Sequence, residues 1–350
     1  MKNIYARLLD DQKDKRLVLA TIVSTKGSSP QVPGVSALFS DNGLLSGTLG
    51  GGIFEARAEE KALESLQTGK SSLARFELDA DMTSEEEAIC GGEATILFDA
   101  KPADHEITFR RLVRSLDKRQ SGILVTQIDQ KGGSIVQLFR SWVEKADIFG
   151  EEAEKKDMPH RPEIKETFSS GKPLFSPHNF LYFEPQFPLS HLVIAGAGHV
   201  GQALAHIGHL LDFEITVIDD RPEFANKDRV PESDHLIVGD IGKAITGILK
   251  TSDTYIVIVT RGHSQDAAAL QACIGSEVAY IGMIGSGRKT ALMREKFIEN
   301  GLATAAQFDR IHAPIGIEIH SKTVQEIAVS IAAELIQVRN QVQNRMKEEK

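Results

Sequence analysis

Leu192-Val193-Ile194-Ala195-Gly196-Ala197-Gly198-His199-Val200-Gly201 decides the fold of this chain. Four apolar residues read as a buried strand, and the Gly-x-Gly-x-x-Gly run after them opens a helical pattern. Gly196 permits a tight turn, Gly198 lets the backbone approach a pyrophosphate, and Gly201 lets helix and strand pack closely, while the helix N-terminus attracts the anion. The context supports the fingerprint, because a second strand, Glu214 to Asp219, ends in Asp219-Asp220, where a carboxylate accepts hydrogen bonds from a ribose. Further strands are expected at His235 to Val238, Thr254 to Val259 and Val278 to Ile284, and Thr323 to Lys347 reads as a long amphipathic helix. This βαβ rhythm makes residues 190–350 a Rossmann-like parallel-sheet domain.

The strand ends carry the other candidates of this half. Arg221 follows the two aspartates and either meets a 2′-phosphate or is a surface residue, which leaves NAD and NADP both open. Thr260-Arg261-Gly262-His263 lies at the carboxyl end of the fourth strand; His263 is either an acid–base group or a helix-capping neighbour, with Arg261 beside it. Gly285-Ser286-Gly287 also separates a strand from a helix and is a further anion cradle. His199, inside the fingerprint, is a second acid–base candidate.

Working back toward the N-terminus, residues 1–100 read as a glycine-rich α/β domain, with strands at Leu17 to Val23, Val35 to Phe39, Ala74 to Leu78 and Ala94 to Phe98, a hairpin turn at Asp41-Asn42-Gly43, and a helix from Ile53 to Leu66. Gly50-Gly51-Gly52 before that helix exposes backbone N–H groups to an anion, and Ser28, Ser29 and Thr48 add hydroxyl donors. Glu55 is either a ligand-facing carboxylate or a complement to the helix dipole. Cys90-Gly91-Gly92 lies outside any obvious strand or helix, so the Cys90 thiol is expected to be accessible, whereas Cys273 in an apolar helix is expected in the core. Residues 101–189 read as an intermediate segment with a helix and a hairpin, and 150–188, stiffened by Pro162, Pro173, Pro177, Pro185 and Pro188, as a connector.

Composition narrows the class. The length of 350 residues suits two domains rather than one. A net charge of −9 argues against nucleic acid as a partner, since phosphate backbones require clustered Lys and Arg. No apolar run approaches the ~18 residues of a membrane span, and the polar start does not read as a signal peptide, so no membrane association and a cytoplasmic location are expected. Two isolated cysteines give neither a disulfide framework nor a zinc constellation. A homodimer is the base-rate expectation for such a chain.

Taken together, the ordered segments resemble the xanthine dehydrogenase accessory proteins of the XdhC/CoxI family. The resemblance rests on Gly27-Ser28-Ser29-Pro30 with Gly34, Gly47-Thr48-Leu49-Gly50-Gly51-Gly52 with Glu55, and Cys90-Gly91-Gly92, then on the 196–201 fingerprint, Asp219-Asp220-Arg221, Tyr280 to Ser286, Pro314-Ile315-Gly316 and Glu326 to Ser330. Two departures stand out: Ile89-Cys90 replaces the pair of cysteines often seen in the family, and Thr260-Arg261-Gly262-His263 replaces a Thr-His-x-His. The resemblance implies a chaperone that binds molybdenum cofactor (molybdopterin), supports its sulfuration, in which a cysteine desulfurase would be a further partner, and delivers it to a xanthine dehydrogenase-type molybdoenzyme. Cys90 is then expected to contact the cofactor or its sulfur. An NAD(P)-dependent oxidoreductase built on the fingerprint, and a scaffold that only docks the dehydrogenase and a sulfur donor, are the competing expectations.

Overall fold

Tyr5, Leu8 and Leu9 share one helical face, and they are the buried residues of α1 (Ile4–Asp11), whose first turn is capped by the Asn3 side chain accepting from the Tyr5 N–H. The computed structural model describes residues 3–13, 15–29, 31–77, 92–131, 135–151, 153 and 157–348. They fall into two compact units, 2–188 and 189–350.

In the first unit, β1 (Val18–Gly27), β2 (Ser36–Ser40), β3 (Gly43–Gly47), β4 (Ser72–Glu77) and β5 (Gly92–Asp99) form an antiparallel sheet in the order β3-β2-β1-β5-β4. The period of two sends Val18, Ala20 and Ile22 to one face, against Phe54, Ala58, Ala62 and Leu66 of α2 (Gly52–Thr68). Leu17 and Leu19 belong to a second core with Tyr5, Leu8 and Phe109, the last from α3 (Glu106–Asp117). A second sheet follows, built from β6 (Gly122–Lys131), β7 (Ile135–Glu144), β8 (Leu174–Ser176) and β9 (Leu181–Gln186) in the order β7-β6-β9-β8.

The 150–188 connector is therefore a correction: α5 (Arg161–Ser170), β8 and β9 complete that sheet, with α4 (Lys145–Phe149) before them. Its prolines sit where the ladder tolerates them. Pro162 is in the first turn of α5, and Pro185 lies on β9 beyond the last residue paired with β8, so its missing N–H costs no bond there.

In the second unit, β10 (His191–Ala195), β11 (Glu214–Asp219), β12 (His235–Val238), β13 (Thr254–Ile258) and β14 (Tyr280–Met283) form a parallel sheet in the order β12-β11-β10-β13-β14. This is the Rossmann arrangement, with the strand order reversing between β10 and β13. One face packs α6 (His199–Leu210) and α11 (Val324–Glu348), the latter through Ala328, Ile331, Ala332, Leu335 and Val338. The other face carries α7 (Ile241–Gly247), α8 (His263–Gln271) and α9 (Gly287–Glu299), with Ile245, Leu270 and Met293 buried against it. α10 (Ala305–Phe308) follows, and His312 then pairs in parallel with Gly282 beside β14. No helix among the described residues is long and apolar enough to cross a membrane.

Candidate functional site

Antiparallel order sends the end of β1, the end of β3 and the start of β5 to one edge of the first sheet, which gathers motifs far apart in sequence. Gly27 pairs with Gly92, and a Cβ on Gly92 would stand 2.0 Å from the Ser28 carbonyl oxygen, so only glycine lets these two segments meet. Ser28 is exposed beside them, and Ser29 Oγ is buried with no hydrogen-bond partner among the described residues. On the same edge, Gly50, Gly51 and Gly52 all have positive φ, which turns the chain sharply from β3 into α2. Glu55 sets that loop: one carboxylate oxygen accepts from Thr48 Oγ1 at 2.8 Å and from the Leu49 N–H at 2.6 Å, while Thr48 Oγ1 accepts from the Gly50 N–H. No side chain caps the first turn of α2, so its N-terminus remains an anion-attracting end. Glu55 lies in the first turn of α2, and it also braces the loop.

The second cradle lies at the carboxyl edge of the parallel sheet. A Cβ on Gly201 would come 1.9 Å from the Gly196 oxygen, and one on Gly196 would meet the Val259 carbonyl at 2.5 Å, so both glycines permit close packing at the crossover. Gly198 is the N-cap of α6 and faces open space; no side chain caps that helix, and His199, its first residue, is exposed. Asp219 braces this loop. Its Oδ2 accepts from the Ala197 N–H at 2.8 Å and from Arg221 Nη2 at 2.9 Å, and its Oδ1 from the Arg221 N–H and Nε. Burial alone would raise its pKa, and the Arg221 side chain, with the Ala197 and Arg221 N–H groups, outweighs burial and holds it below the usual carboxylate range.

Asp220, one residue on, stays accessible. Its Oδ2 accepts from Arg261 Nη2 at 2.9 Å and from Gln265 Nε2 at 3.0 Å, joining the ends of β11 and β13. His263 is the exposed first residue of α8, after an N-cap, Gly262, that provides no side-chain bond. Ser286 caps α9 by accepting from the Lys289 N–H, which engages the Gly285-Ser286 cradle in its own helix.

Sequence reading gave no role to two groups here. Asp266, fully buried in the first turn of α8, accepts from Thr260 Oγ1 at 2.6 Å and pairs with Lys289 of α9, tying the ends of β13 and β14 together. Its only sequence signal is a carboxylate three residues into a helix after a strand. Gln265 carries no signal at all. Cys90 and Gly91 lie outside the described residues. Cys273 is 1% exposed, and burial pushes its thiol up to about 12, a core cysteine. Among the described residues no group of three or more His, Cys, Asp or Glu could hold a metal ion.

The XdhC Rossmann domain matches residues 192–335, and the XdhC and CoxI family matches residues 11–77. The uncharacterized protein YqeB of Escherichia coli (strain K12) is 37% identical over 150 residues, 43% of this chain, and the match spans 27% of that protein's length. A Bacillus subtilis (strain 168) protein, named as a probable xanthine dehydrogenase component, is 25% identical over 338 residues, 96% of each chain. The crystal structure of a xanthine dehydrogenase from Bacillus halodurans shares the fold, with a TM-score of 0.75 at 24% identity over 96% of both chains. With residues 11–77 and 192–335 matched in that order, this chain belongs to the XdhC and CoxI family.

Proposed function

We propose that this protein binds molybdenum cofactor and delivers it to a xanthine dehydrogenase-type enzyme. The observation that carries this reading is the Gly47–Gly52 turn, braced by Glu55 and leading into an uncapped helix, a preformed seat for the phosphate that molybdopterin bears. The family, and a full-length relative named for xanthine dehydrogenase, support the partner. In this reading the glycine loop of the second unit takes a nucleotide, Cys90 supplies the soft thiolate beside the cofactor, and a cysteine desulfurase donates sulfur.

Anaerobic titration with molybdenum cofactor tests it. Saturable binding is expected for the protein, with retention lost in Cys90→Ala and kept in Cys273→Ala. Absence of saturable binding, under conditions where an acceptor molybdoenzyme takes up the cofactor, overturns the proposal. The fingerprint also favours an oxidoreductase reading, which hydride transfer from a bound dinucleotide to a screened substrate would identify.

A further inference from the structure

The end of β11 holds two adjacent carboxylates in different surroundings. Asp219 is 2% exposed, and its two oxygens take four donors: Arg221 N–H and Nε on one, Ala197 N–H and Arg221 Nη2 on the other. An ionised carboxylate offers about four acceptor directions, so none is left for a ligand hydroxyl. Asp220 differs. Its side chain is 33% exposed, Oδ2 holds Arg261 and Gln265, and Oδ1 stands 3.8 Å from Arg221 Nε, beyond a hydrogen bond. It therefore has an oxygen with capacity to spare, at the end of the strand next to the glycine loop.

The cation that would suit a 2′-phosphate is already spent. Arg221 gives Nε and Nη2 to Asp219 and lies 3.8 Å over the Phe224 ring, held from both sides. Turning it toward a phosphate would strip a buried carboxylate of two charge-assisted bonds. Arg261 is itself paired with Asp220, so a 2′-phosphate would approach a carboxylate whose partner it must take away.

We propose that this edge accepts a nucleotide whose ribose carries a free 2′-hydroxyl, that Asp220 accepts from that hydroxyl, and that Asp219 is a positioning residue for the glycine loop. The inference rests on the reading of the second unit as a nucleotide site. It is independent of whether the nucleotide is a cofactor tail or a separate dinucleotide, because both present a ribose with a free 2′-hydroxyl.

The test is calorimetric titration of the full chain with NAD⁺ and NADP⁺, and with AMP and adenosine 2′,5′-bisphosphate as the minimal pair. In each pair the 2′-hydroxyl compound is expected to bind at least about tenfold more tightly. Asp220→Asn should cut that preference with an unchanged melting temperature, whereas Asp219→Asn should lower the melting temperature and weaken all four ligands together. Equal or tighter binding of the 2′-phosphorylated partners, or a preference untouched in Asp220→Asn, overturns the assignment while leaving nucleotide binding intact. Failure of all four compounds to bind removes the nucleotide site itself, and the assignment with it.

Discussion

Glu184 is buried at 4% exposure on β9, accepting from the Tyr5 hydroxyl at 2.7 Å and from Gln186, with the Tyr182 hydroxyl buried nearby and, among the described residues, unpartnered. Burial raises its pKa from 4.5 to about 7, against the lowering pull of Tyr5, Arg140 and Gln186. A folded-state pKa above the unfolded one means that the native protein holds the proton longer. The stability this provides is fully present below about pH 4.5 and is lost as pH rises through about 7. Denaturant titrations should therefore show the first unit losing roughly 3 kcal/mol from this group between pH 4.5 and pH 8, and Glu184→Gln should flatten that fall. At the same scale the glycines were legible, because Gly196 and Gly201 have few alternatives where a Cβ would strike backbone. The bracing role of Asp219 was not: a carboxylate at a strand end carries no sign of its four donors, three of them on Arg221, two positions away.

Between elements, the family segments Tyr280–Ser286, Pro314-Ile315-Gly316 and Glu326–Ser330 turn out to share one contact region. A Cβ on Gly316 would meet Ser330 Oγ at 2.3 Å, and Ser330 Oγ donates to the Ile317 carbonyl. One turn further along α11, Glu334 accepts from the Tyr280 hydroxyl, from the Gly316 N–H at 2.8 Å and bonds His312 Nδ1 at 2.9 Å, so a single carboxylate ties α11 to β14 and to the segment beside it. Glu334→Ala strands a buried tyrosine hydroxyl and a backbone donor, and the second unit should lose about 2–4 kcal/mol, read as a lowered unfolding midpoint. Tyr280→Phe, which removes one donor and keeps the ring, should lose about 1 kcal/mol. The parallel strands were readable because strands buried on both faces are continuous apolar runs. α5, β8 and β9 were not, since a three-residue strand and proline-marked ends leave no period to detect.

Across the whole molecule, the first unit is closed by its two extremes. Asn3 Nδ2 donates to Gln186 Oε1 at 3.3 Å and Tyr5 to Glu184, so its N-terminal helix is fastened by its last strand. A fragment of residues 1–188 should melt cooperatively by circular dichroism, whereas 1–149, stripped of β8 and β9, should show no cooperative transition; a sharp transition in the shorter fragment would contradict this closure. The same closure orders events during synthesis. Tyr5 and Glu184 are 179 positions apart, so a ribosome adding roughly 5–20 residues per second needs roughly 9–36 seconds to deliver the second after the first. Until then β6 lacks the strand that pairs with it opposite β7, and the nascent chain displays an open sheet edge that a chaperone, or a neighbouring nascent copy on the same message, can capture.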